Sequence, residues 1–360
     1  MTQFFAKEIV IQNVHAFNGE NFTTRDVVIR DGKIAADREA DDVQIVDGQG
    51  RYLIPGLIDA HVHLRAEEQL EKLSAAGVTT ALDMASFPPS LINSFRGKTG
   101  LTDIRSAGAP ATSPGSGHSR MPGIEPYLIS SPSEASRWVS DRIEEGADYI
   151  KVVADIPGPN QATLNAVISA AHEQGKLTIA HATRHEAFRM ALEAKARVIT
   201  HVPLDKPLNS DMVAQMVDGK HVSVPTLAIC EALPKARGPP LNYEPAQSSL
   251  KALYEAGVPV LAGTDSNSSP ICPVPHGESL HHELELLVEA GLSTVDALRA
   301  ATSLPAKHFG LVERGEISEG FRADLVLLSA DPLEDIQATR KIERIWINGI
   351  EYSKGQPRLL

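Results

Sequence analysis

Short apolar runs punctuate this chain in two rhythms. Near its start, "KEIVIQNVHAF" and "RDVVIRDGKIAA" alternate apolar and polar residues on either side of "NGENF", and Asp31-Gly32 carries the signal of a two-residue hairpin. The rhythm returns in "GFRADLVLLSA" and "RKIERIWINGIEY", where Asn348-Gly349 is another hairpin signal. Alternation with period two predicts antiparallel strands, and domain termini often lie side by side. Residues 1–53 and 312–360 are therefore expected to build one small composite β-sandwich.

Between them, residues 54–311 carry apolar runs separated by helical stretches. The runs are "GLIDAHVH" at 57, "VTTALDM" at 78, "TDIRSAGAP" at 102, "DYIKVVAD" at 148, "LTIAHA" at 177, "RVITHVP" at 197, "HVSVPTL" at 221 and "PVLAGTD" at 259. Helices are predicted over 132–146, opened by Ser131-Pro132, and over 160–174, 184–195 and 246–256, the last closed by Gly257. Strand and helix in alternation predict an α/β fold with a parallel sheet, and eight such strands predict a TIM (β/α)8 barrel, which takes about 250 residues. A doubly wound sheet is the alternative, but no Gly-rich nucleotide fingerprint follows any of the runs. "SAGAPATSPGSGHSRMPG" at 106–123 reads as a long loop at the mouth of a site.

Composition narrows the partners more than the fold. Hydrophobic residues make up 42% and charged ones 22% of the 360 residues, as in ordinary globular proteins. With 34 Lys and Arg against 46 Asp and Glu, the formal charge of −12 argues against nucleic acid or an anionic membrane and for a small-molecule substrate, bound by a single chain or a homo-oligomer. Cys230 and Cys272 are too few for a disulfide framework, and "MTQFFAKEIVIQNVHAF" lacks the charged and apolar regions of a leader. A cytoplasmic, soluble protein is expected.

The polar residues inside the apolar runs carry the chemistry. In "LIDAHVHL", residues 57–64, period-two geometry puts His61 and His63 on one face and Ala60, Val62 and Leu64 on the other. A lone H-x-H is more often a satisfied core pair than a site. Here, however, Lys151 lies in the fourth run, while His181, His201 and Asp265 end the fifth, sixth and eighth. Barrel enzymes place catalytic groups at these carboxyl ends. Together the six residues suit one or two divalent metal ions, zinc first, with iron, manganese or cobalt as alternatives. Lys151 is either paired with an acid such as Asp155 or Asp83, or neutral through burial and able to take up carbon dioxide as a carbamate that bridges two cations.

The motifs "PGLIDAHVHL", "GVTTALDM", "GADYIKVVAD", "LTIAHA", "ALEAKARVITHV", "LAGTDS" and "HGESLHHELELLVEAGLSTVDALRAAT" resemble those of the amidohydrolase superfamily, on its imidazolonepropionase-like and Xaa-Pro dipeptidase branch. The terminal segments, with "DGKIAA" and "GEISEGFRADLVLLSADPLEDI", resemble the family's β-sandwich. The resemblance implies that His61, His63 and Asp265 hold the more buried metal, that His181 and His201 hold the exposed one, and that N6-carboxylated Lys151 bridges them. It implies a bridging water made nucleophilic by the metals, with Asp265 as the catalytic residue that takes its proton and returns it to the leaving amine. By the same resemblance, His118 in "GSGHS" and His276 in "PVPHGES" bind substrate, Arg184 and Tyr254 are further candidates, and His281 and His282 belong to the next helix. The expected activity is hydrolysis of an amide or cyclic amide of a small substrate that can carry a carboxylate. Alternatives are a lactone or phosphotriester hydrolase using the same site, a deaminase, for which a lysine in the fourth strand is atypical, and a non-catalytic relative.

Overall fold

The computed structural model describes residues 8–39 and 43–353. Residues 1–7, 40–42 and 354–360, the outer parts of both expected terminal segments among them, lie outside the described residues. Numbered along the chain, strands β1 (Ile9–Phe17), β2 (Phe22–Arg30), β3 (Lys33–Ala35) and β4 (Gln44–Pro55) join β12 (Leu325–Leu328), β13 (Ile342–Ile347) and β14 (Ile350–Glu351) in one mixed sheet of order β14-β13-β12-β4-β1-β2-β3. The two ends of the chain meet at β4, which runs parallel to β1 and antiparallel to β12.

This sheet is buried on two sides, and period two decides which residue goes where. In β12, Leu325 and Leu327 pack with Trp346, Ile11 and Val27 in a core of the sheet's own, while Val326 and Leu328 join the larger core of the rest of the molecule. The run "LVLL" is therefore apolar throughout, as a doubly covered strand must be. The two hairpin turns stand at opposite edges of the strand order, yet they touch. Ala323 N donates to Gly32 O (2.8 Å) and Gly349 N to Ala323 O (2.9 Å). The sheet thus curls over its core, with strands from both ends of the chain in one mixed sheet.

Pro55 of β4 leads across Gly56 directly into β5 (Leu57–Val62). Gly56 N donates to Asp324 O at 2.7 Å, fastening the junction to the late part of the chain. Strands β5, β6 (Val78–Asp83) and β7 (Asp103–Ser106) form one parallel sheet, and β8 (Ile150–Val153), β9 (Thr178–His181), β10 (Val198–Thr200) and β11 (Val222–Val224) form another. Hydrogen bonds join them on one side, from Asp148 N to Ser106 O (2.8 Å) and from Val153 N to Ala111 O (2.9 Å). On the other side residues 259–266 close the gap: Leu261 N donates to Ser223 O (2.9 Å) next to β11, and Ala60 N to Ala262 O (2.9 Å) in β5. All eight apolar runs contribute to one cluster, from Ile58 and Leu82 to Val222 and Leu261.

The helices lie close to their expected positions. Gln161–Glu173 is capped by the Asn160 side chain on Thr163 N (2.9 Å), and Glu244–Glu255 is followed by Gly257 at φ +81°, a left-handed stop. The segment expected as a single helix over 132–146 splits into a 3-10 turn, Pro132–Glu134, and a helix, Ala135–Glu144. The eighth run and the residue after it form single bridges at Val260 and Ser266 rather than a regular strand, and the backbone turns left-handed at Asp265 (φ +57°).

Closure of the curled sheet rests on Gly349, whose φ is +76° and whose added Cβ would lie 2.8 Å from Gly32 Cα. Gly50 has a comparable φ of +70° with open space around it. Gly349→Ala is expected to lose about 1–3 kcal/mol in urea unfolding, and Gly50→Ala measurably less, since only the first adds a steric clash to the backbone strain.

Candidate metal centre

Residues far apart in sequence converge at the carboxyl ends of the parallel strands. His61 belongs to β5 and His63 follows it, Lys151 lies in β8, His181 ends β9, and His201 follows β10. The pairing of β5 with β6 shifts register between Asp59 and Val62, a bulge that re-aims side chains. Its effect departs from simple alternation: Ala60 packs in the inner cluster and Val62 in the outer one, although both were expected on one face. The two histidines nonetheless converge, Nε2 to Nε2, at 3.3 Å.

His61 Nε2 is the hub. It lies 3.3 Å from Asp265 Oδ1 and 3.3 Å from Lys151 Nζ, while His63 Nε2 lies 2.8 Å from the same Asp265 oxygen. The His201 ring is centred 5.0 Å from that of His61 and 4.4 Å from that of His181. Among the described residues, one set of three, His61, His201 and Asp265, brings ligand atoms within 4.8 Å of one another. His63 and His181 border this set, so all six expected residues gather at one place.

Their electrostatics suit a cation. Burial holds His61 and His181 well below the ordinary imidazole range, with neighbouring cationic groups adding to the effect. It takes His201 down to about 3 against the opposing pull of Asp265. Burial also lowers Lys151 to about 7, although Asp265 and Asp83 draw it upward. Burial pushes the Asp265 carboxyl up, but the hydrogen bond and charge of His63, with His201 and Lys151 behind it, outweigh this and keep it below the usual range. Neutral imidazoles around an ionised carboxylate form a donor set for a borderline divalent ion.

Neither expected acid partner is free for Lys151. Asp83 accepts from Leu64 N (3.1 Å), Ser86 and Ser106, and Asp155 accepts from Ile156 N (2.9 Å) and faces His118. Among the described residues no carboxylate comes within salt-bridge distance of the Lys151 amine, and its lowered pKa leaves a sizeable uncharged fraction near neutral pH.

The supporting shell was largely invisible beforehand. Asp59 is fully buried and accepts from His61 N (3.1 Å), Thr264 N (3.1 Å) and Thr264 Oγ1 (2.7 Å), tying β5 to the residue before Asp265. Burial outweighs these bonds and raises its carboxyl to about 7. Gly263 permits the close approach: a Cβ there would lie 2.9 Å from His61 N and 2.5 Å from Val224 Cγ1. Thr226 Oγ1 lies 2.7 Å from His201 Nδ1, and buried Glu283, its carboxyl pushed up to about 8 by burial, accepts from Leu227 N (2.9 Å) and Ala228 N (2.7 Å). Two of these had a signal in the sequence. Asp59 is an acid inside an apolar run, and Glu283 falls on the apolar stripe of Leu280, Leu284 and Leu287.

The expected substrate residues divide. His118 stands beside the centre, its ring 4.4 Å from that of His181 and its Nδ1 3.8 Å from Asp155 Oδ2, an ion-pair distance without a hydrogen bond. His276 is buried and its Nε2 lies 2.9 Å from the backbone oxygen of His63. Tyr254 donates to Asp296 Oδ2 (2.6 Å), and Arg184 is exposed at the start of helix His185–Glu193. His281 and His282 lie on helix Glu278–Glu289, the former 3.0 Å from Thr339 Oγ1 and the latter paired with Glu231 and Glu285.

The chain is similar in sequence and fold to known proteins. Over 378 residues the chain is 26% identical to dihydroorotase from Streptococcus pneumoniae serotype 4, spanning 85% of this chain and 86% of that protein. It is 25% identical over 366 residues to adenine deaminase 2 from Desulfotalea psychrophila, spanning 95% of this chain and 57% of that one. Its fold matches the crystal structure of a Xaa-Pro dipeptidase with bound methionine in the active site at a TM-score of 0.82 and 21% identity, over 96% of this chain and 100% of that one. The model of the amidohydrolase family matches residues 52–350, strand β4 through β14, and the chain belongs to that family.

Proposed function

We propose that the protein is a metal-dependent hydrolase of amide or cyclic amide bonds in small substrates, built on a (β/α)8 barrel closed by residues 259–266. The observation that carries this reading is the meeting of His63, Asp265 and Lys151 around His61 Nε2, three of the four contacts at 3.3 Å and one at 2.8 Å. His61, His63 and Asp265 would hold one divalent ion and His181 and His201 a second, with Lys151 as a carbamate between them. When bound, such ions supply polarisation of a carbonyl and a lowered pKa for water.

The remaining work falls to the chain's own groups. Asp265 stays ionised and so can accept a proton at its carboxylate and return it to a departing amine. Lys151, drawn down to about 7 by burial, has an uncharged fraction near neutral pH, the form that reacts with carbon dioxide; in that reaction nitrogen bonds to carbon and one proton leaves to solvent. His118, at the edge of the histidine group, would meet a substrate oxygen. His276 holds the His63 carbonyl and so steadies that ligand. Likeness to a dihydroorotase and a Xaa-Pro dipeptidase supports a hydrolase, and the buried lysine beside His61 favours it over a deaminase.

Three outcomes are expected. Metal analysis of protein reconstituted with zinc should find two ions per chain, and Lys151→Ala should lower this toward one; unchanged stoichiometry would defeat the bridge. Asp265→Asn should retain most of its metal yet lose turnover by about 10²–10⁴-fold, read as kcat at saturating substrate. In a panel of Xaa-Pro dipeptides, N-acyl amino acids, hydantoin-like rings, lactones, phosphotriesters and adenine, turnover should concentrate in the first three classes. Ammonia release from adenine as the main activity would overturn the amide reading.

A further inference from the structure

We infer that Thr226 is a positioning residue for the centre: its hydroxyl fixes the His201 ring with the proton on Nδ1, leaving the Nε2 lone pair for a cation, and Glu283 clamps the backbone that holds Thr226 in place. The inference rests on the metal reading above for the identity of the ligand, but on its own geometry for the hydrogen bonds.

A threonine hydroxyl has one proton to give and lone pairs to accept with. Thr226 Oγ1 lies 2.7 Å from Pro225 O and 2.7 Å from His201 Nδ1. If the proton went to the imidazole, two oxygen acceptors would face each other at 2.7 Å across the other contact. With the proton on the Pro225 carbonyl, both contacts become hydrogen bonds, and the one to His201 requires an Nδ1–H donor. The remaining ring nitrogen is then unprotonated, which is the form that binds metal, and a partner on the far nitrogen is how proteins set that choice. His61 shows the contrast, since its Nδ1 is buried with no partner.

The hydroxyl is held in place from behind. Thr226 adopts φ +52° and ψ +52°, a left-handed conformation that β-branched residues rarely accept, so the surroundings must impose it. Helix Leu227–Arg237 begins at the next residue, and its first two N–H groups, which no helix can satisfy internally, bond to the two oxygens of Glu283 on helix Glu278–Glu289. His201 N in turn donates to Val224 O at 2.8 Å, so the ligand is tied to the same strand end through backbone and side chain.

The test uses the full chain labelled with 15N-histidine, stripped of metal and then titrated with Co2+ against a chelating dye. Ring nitrogen shifts of metal-free wild-type protein should report His201 with its proton on Nδ1. Thr226→Val keeps the shape and the branched backbone, and it should weaken the ion assigned to His181 and His201 by about 10–100-fold while leaving the other ion and the melting temperature nearly unchanged. Thr226→Ser should restore binding to within a few-fold of wild type. A wild-type His201 protonated on Nε2, a Thr226→Val protein that takes up both ions with wild-type affinity, or a serine variant as weak as the valine one would each overturn the inference. A wild-type chain that binds no divalent ion sinks the metal reading instead, and the metal-free shifts still decide the Thr226 bond. Those shifts also decide it if the valine variant fails to fold.

Discussion

The pairing of residues 259–266 with β11 on one side and β5 on the other is the contact on which the centre depends. It is made by ordinary backbone hydrogen bonds, among them Asp265 N to His61 O at 2.8 Å and His63 N to Ser266 O at 2.8 Å. These bonds bring an aspartate near the end of the eighth run beside histidines from the first, a separation of about two hundred residues. Side chains then need only short reach, because the backbone has already done the gathering. Asp59 reinforces the seam, since one buried carboxylate accepts from both of its edges.

Burial shapes the chemistry in one consistent direction. Each group that would be charged in water is pushed toward neutrality by the loss of solvent, as with His61, His181, His201 and Lys151, unless a partner opposes the push, as His63 does for Asp265. The pocket therefore presents lone pairs and one retained negative charge. That balance favours a cation more strongly than the acidic surface of the chain alone would suggest, because the field of a largely enclosed carboxylate is less screened than that of a surface one.

Much of this was legible in the sequence, for identifiable reasons. The parallel strands announced themselves as apolar runs because both of their faces are covered, and His61, Lys151 and Asp265 stood out because a polar residue inside such a run needs an explanation. The mixed sheet was legible through its hairpin turns, Asp31-Gly32 and Asn348-Gly349, where only a few residues accept the backbone angles. Other features left no trace. The bulge in β5 depends on the register of a partner strand, and Thr226 looks like any strand-end threonine; Asp59 and Glu283 do stand out as acids among apolar residues, but what they bond to emerges only when helix, strand and loop meet.

Gly56 carries a consequence of its own. One residue separates the last strand of the amino-terminal arm from the strand bearing His61, and its N–H is anchored on Asp324, far down the chain. The ligand strand therefore inherits its footing from both termini at once. A disturbance near the carboxyl end therefore has a short path to the strand that bears His61.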